Sequence, residues 1–110
     1  MKALFNYVTK YFKKNKTTER MRLIEDLIVV ESKVVQSLVD RQRVFDSGKW
    51  DQEKLTKFKE EDACNATQIN SILVSLYGEN QARDEAQNVI ECCVEQAERC
   101  LGKELSNIFK

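Results

Sequence analysis

Two carboxylates, Glu31 and Asp62, stand where helical spacing calls for apolar residues. A carboxylate taken out of water must find a cation, a hydrogen-bond donor or a proton. Glu31 falls near the centre of the apolar face of residues 21–39, and Asp62 falls near the centre of the face of residues 52–77, with Asn65 on its flank. No Lys or Arg is expected centrally on either face at this height. Three chemistries then compete. The layer is wet and loosely packed, its acids bonded to Asn65, Gln96 or water. It is a groove completed by an Arg or Lys of a protein partner. Or it is a metal or catalytic carboxylate site. The chain has no histidine, so the Glu-x-x-His pairs of carboxylate-bridged di-iron bundles are missing. No metal and no cofactor are expected, and Glu31, Asp62 and Asn65 become candidate partner-binding residues.

The four cysteines point away from metal chemistry. Zinc sites want two ligands a turn or less apart, as in C-x2-C, and the only close pair, Cys92-Cys93, projects about 100° apart on a helix. Cys93 and Cys100 share a face but lie two turns apart, roughly 10 Å, and are expected as small core residues. Cys64 and Cys92 fall on outer faces. No glycine-rich loop and no G-x-S-x-G is present, and no His can act as base. The expectation is a protein that is not an enzyme.

A third set of candidates lies at the start. Leu4, Phe5, Val8, Tyr11 and Phe12 share one face of a short helix over residues 2–14, with Lys2, Asn6, Lys10, Lys13 and Lys14 on or beside the other. Aromatic residues beside lysines suit an anionic membrane surface, but equally a flap docked on the body of the protein or inserted into a partner. Phe5, Lys10, Phe12, Lys13 and Lys14 are the candidate contacts. The basic strip Lys10, Lys13, Lys14, Lys16, Arg20 and Arg22 would also suit nucleic acid. No recognised nucleic-acid motif accompanies it, so that reading ranks lowest.

The elements that must position these residues follow from apolar periodicity. In residues 21–39, Met21, Ile24, Ile28, Val35 and Leu38 form one row and Leu23, Leu27, Val30 and Val34 a second; together they span an arc of roughly 180°. A face this wide needs at least two covering neighbours. Thr17 or Thr18 can cap this helix, which is expected over residues 19–46 and is closed by Ser47-Gly48-Lys49. Asp51 caps a third helix to Tyr77, and Trp50 can pack back over the turn. Asn80 caps a fourth helix, expected to run to Phe109 with Gly102 as a weak point and with Ile90, Cys93, Cys100 and Ile108 on its apolar face. Both connections between the long helices are short, so neighbouring helices run antiparallel. Position i of the second helix then meets about 97 minus i of the third, pairing Met21 with Leu76, Ile24 with Leu73 and Ile28 with Ile69.

At 110 residues the chain is one domain, residues 1–110, with an N-terminal helix and joint over 1–16 and a three-helix core over 17–110. Proline is absent and glycine occurs three times, which favours long helices. Net charge is zero but polarised. Residues 1–22 hold seven basic and one acidic residue, net +6; residues 60–110 hold four basic and ten acidic, net −6. The start does not read as a secretory signal, and a cytoplasmic location with reduced cysteines is expected. The fold class is all-α, a small antiparallel helical bundle of three long helices plus a short N-terminal amphipathic helix. The function expected is a non-enzymatic protein-interaction module (adaptor, inhibitor or assembly factor) for an unidentified protein partner or a second copy in a homodimer. The alternative is a peripheral membrane-surface protein, and behind it a small nucleic-acid-binding protein.

Overall fold

With no proline in the chain and each glycine at a helix end, nothing interrupts the helices from within. The structure is a computed structural model; it describes the backbone of residues 2–109 and the side chains of residues 18–109. Helix α1 runs Lys2–Asp46, α2 Gln52–Tyr77 and α3 Glu79–Leu101, followed by a 3-10 turn at Asn107–Phe109. No strand occurs among the described residues. The three helices all pack against one another, as a small bundle requires. The expected separate N-terminal helix and joint fall on residues 1–16, whose side chains lie outside the described ones.

The α1–α2 connection forms as its sequence dictates. Gly48 completes the turn, the backbone N–H of Ser47 donating to the Arg43 carbonyl at 3.0 Å. The Asp51 side chain caps α2 by accepting from the Lys54 N–H at 2.9 Å. Trp50 packs back over the turn, stacked on Phe58 at 5.7 Å between ring centroids. The α2–α3 connection is the single residue Gly78, whose φ of 85° favours glycine. Gly78, not Asn80, stands at the N-cap of α3, and no side chain caps that end.

The last helix is shorter than expected. Gly102 adopts the left-handed conformation at φ 71° and its N–H closes on the Glu98 carbonyl, so α3 stops at Leu101 instead of running to Phe109. The chain then folds back along α1. Leu105 is buried, its N–H donating to the Glu98 carboxylate at 2.9 Å. Gln42, buried in α1, spends both ends of its amide here. It accepts from the Ser106 N–H at 2.7 Å and donates to Ser106 Oγ and to the Asp46 carboxylate, each at 2.9 Å. This reversal leaves Cys100 and Ile108 exposed, against the expectation that both lie in the core.

The core is built on Val30, Leu38 and Val39 of α1, Ile69 and Leu73 of α2, and Ala82, Val89, Cys93 and Ala97 of α3, with Leu27 and Val34 packed against it. The register between α1 and α2 is close to that expected: Ser37 meets Glu61 and Arg41 meets Phe58, so i faces about 98 minus i. The facing row is different. Ile69 and Leu73 are buried, but by the row Leu27, Val30, Val34 and Leu38. Met21, Ile24 and Ile28 stay 56%, 43% and 54% exposed. They share the face of Val35 and Gln42, seven residues apart, which turns toward α3 and its C-terminal extension. There Ala82 and Ala86 are too short to cover them. Replacing Leu73 by Ala should therefore cost about 3 kcal/mol of unfolding free energy in urea. The Ile28→Ala change should cost less than about 1 kcal/mol. Equal losses would put Ile28 back in the core.

Candidate functional site

The three carboxylate-layer candidates are not brought together. Asp62 belongs to an ion pair inside the chain. Arg41 occupies the core row of α1, seven residues after Val34 and fourteen after Leu27, and the residue is buried, 7% exposed. Nη1 donates to Asp62 Oδ2 at 2.9 Å and Nη2 to Asp62 Oδ1, a two-pronged pairing. Nη2 also donates to Ser37 Oγ at 3.0 Å and to the Phe58 carbonyl at 3.4 Å. The cation lies over the Phe58 ring, 5.1 Å from its centroid. Ser37 in turn donates to the Glu61 carboxylate at 3.1 Å. The reading that no basic residue reaches this layer is thus corrected, because a long arginine approaches Asp62 from further down α1. The heptad step from Val34 was the signal for it.

Glu31 is elsewhere. By register it is level with about residue 67 of α2, five positions or roughly 7 Å from Asp62 along the axis. Its neighbour is α3, where the Cys93 thiol lies 3.8 Å from the Glu31 backbone carbonyl. The Glu31 carboxyl is half-buried with no cation beside it, and desolvation raises its pKa above the usual 4.5. Burial, with the Glu31 charge adding to it, pushes the Cys93 thiol up to about 11. A protonated, buried Cys93 is a core residue and not a nucleophile. Asn65, half-buried, lines a shallow polar groove between α1 and α2 with Lys33, Gln36, Asp40 and Glu61. Phe5, Lys10, Phe12, Lys13 and Lys14 lie outside the described residues. Among the described residues no three of Cys, Asp and Glu cluster to hold a metal ion, and no helix is long and apolar enough to cross a membrane.

The row Met21, Ile24 and Ile28, expected from the sequence to pair with Leu76, Leu73 and Ile69, is exposed instead. Met21, Ile24 and Ile28 step by three and four along one face of α1. Position i of α1 is level with about i plus 62 on α3, set by Glu31 and Cys93. Ile90 of α3, 42% exposed, therefore stands level with Ile28. On the other flank Val29, 54% exposed, borders a groove with Asp26 and Lys33 of α1 and Thr67 and Ile72 of α2. The apolar arc of roughly 180° was the available signal: two neighbours cover only its middle. Exposed large apolar residues scattered singly are ordinary; these three share one face and stand in a row.

Glu31 also sets a pH dependence. Its folded-state pKa is raised, so ionisation penalises the native state above that pKa. The penalty is relieved as pH falls toward 4.5, below which both states are protonated. Asp46 and Asp51, both held low chiefly by hydrogen bonds from Lys103 and Lys54, lose their contributions only below 3.8. Urea midpoints measured from pH 7 down to 4.5 should rise for the native chain as pH approaches 4.5. They should rise less for Glu31→Gln, which should be the more stable of the two at pH 7. A variant less stable at pH 7 would mean that Glu31 has a cation partner.

No family model, curated protein or solved structure matches this chain. Its three-helix architecture is shared by proteins of many functions, and fold alone assigns none.

Proposed function

We propose that the protein is a non-enzymatic interaction module whose binding face is the apolar row Met21, Ile24 and Ile28 on α1. The observation that carries this reading is the exposure of these three large side chains, each 43–56%, in a chain small enough to need every apolar contact. Burying them would release about 25 cal/mol per Å² of apolar surface, a driving force the isolated chain forgoes. The fitting partner is a protein that lays an apolar helical stripe along this row, by the i, i+3, i+7 anchoring of helix-on-helix recognition. A second copy of the chain is one such protein.

Glu31 keeps a part in this reading, changed from the one first expected. It lies three residues beyond Ile28, half-buried and without a cation, so a partner's Lys or Arg arriving along the row would restore its ordinary ionisation. Asp62 has its arginine already.

The test is a double substitution that leaves the core alone. Ile24→Glu with Ile28→Glu should preserve the helical circular-dichroism spectrum and keep the thermal midpoint within about 3 °C. Tagged wild-type and double-variant chains, recovered from the cells that make the protein, should differ. At least one protein, a differently tagged second copy included, should fall tenfold or more in the variant's recovery. Identical recoveries from two equally folded chains would overturn the reading.

A further inference from the structure

The end of the bundle opposite Met21 holds a cleft that the interaction face does not use. It is about 360 Å³ in volume, at the lower end of small-molecule sites. Its apolar wall is built by three local devices: the Asp51 cap that places Trp50 against Phe58, the Gly102 stop that turns the chain back, and the Gln42–Ser106 bonds that hold it there. Phe109 thereby meets Trp50 edge-on at 5.2 Å between centroids, and Ile108, 63% exposed, stands at the mouth.

The charges in the wall are unbalanced. Arg41, Lys59 and Asp62 all line the cleft, a net of +1. Asp62 is spent on Arg41, and Lys59 has no ion-pair partner among the described residues. Arg41, more than nine-tenths buried, carries a second unmet demand: its Nε–H has no hydrogen-bond acceptor. A buried donor left unpaired is uncommon and asks for an acceptor. An aromatic cleft with one surplus positive charge, at Lys59, is complementary to an amphiphilic monoanion.

We propose that this cleft binds a medium-chain carboxylate. The alkyl chain lies among Trp50, Leu55, Phe58, Ile108 and Phe109. The carboxylate lies toward the Lys59 ammonium. A neutral molecule of the same length satisfies the aromatic wall but leaves the Lys59 charge unmatched, and a chain too short leaves the wall unfilled.

Trp50 is the only tryptophan in the sequence and reports on the cleft directly. The full chain is titrated with octanoate, with 1-octanol and with butyrate while Trp50 fluorescence is followed. Octanoate should give a saturable one-site change with a Kd of about 0.1–1 mM, the range open to a ligand of this size. Octanol should bind at least about fivefold more weakly, and butyrate should give no saturable change. Lys59→Gln should weaken octanoate about fivefold and leave octanol unchanged. Ile108→Trp would confuse the signal, so Ile108→Arg is kept as a gain-of-charge variant, expected to tighten octanoate alone. Circular dichroism confirms that both variants stay folded, since Lys59 and Ile108 are exposed. Octanol binding as tightly as octanoate, a Lys59→Gln chain unchanged toward octanoate, or no saturable signal from octanoate would each overturn the proposal.

Discussion

The buried guanidinium of Arg41 is the interaction on which the rest of the bundle depends. A cation withdrawn from water needs most of its hydrogens met, and this one draws on Ser37, the Phe58 carbonyl, the Phe58 ring and both oxygens of Asp62, leaving only Nε–H without an acceptor. Apolar packing between α1 and α2 would tolerate sliding. This set of bonds does not, because a shift of one residue turns a helical side chain by about 100° and takes the carboxylate away from the cation. The pair therefore fixes where α2 lies along α1, and Gly78 then fixes α3, one residue beyond α2.

From that anchor the molecule is closed at one end and open at the other. Below Arg41, Gln42 ties down the returning chain, Lys103 pairs with Asp46, and Phe45, Trp50, Phe58 and Phe109 pack in a chain of rings. Toward the opposite end the face of α1 turned to α3 is less well covered. Short alanines stand on α3, and Met21, Ile24 and Ile28 keep much of their surface in water. In the proposed interaction module, the well-bonded end would hold α1 in shape, so that binding at its uncovered row would cost little ordering entropy.

Much of this architecture was legible in the residues, and what was not has physical causes. The three packed helices, the Ser47–Lys49 turn, the Asp51 cap, the packing of Trp50 and the α1–α2 register all follow from local chemistry and periodicity. Which row of α1 faces inward did not follow, because an apolar arc of roughly 180° contains two rows of equal merit. Only the width of the facing helices decides between them. The pairing of Asp62 was missed because an arginine reaches several residues along a helix, so a search at one height overlooks it. Gly102 read as a weak point within a helix because its neighbours continue the apolar pattern; the left-handed conformation is what turns it into an end. Glu31 and Asp62 looked like one polar layer from spacing alone, yet they belong to two different seams.

The most direct measurement is contact from the row itself. A photoreactive amino acid is placed at position 28, and in a control chain at position 87, an exposed site on α3. Both chains are irradiated in the cells that make the protein. The account predicts one discrete adduct from position 28, at twice the chain's mass or at that of a single other protein, and no such adduct from position 87. Adducts that are the same from both positions, or none from position 28, would contradict it.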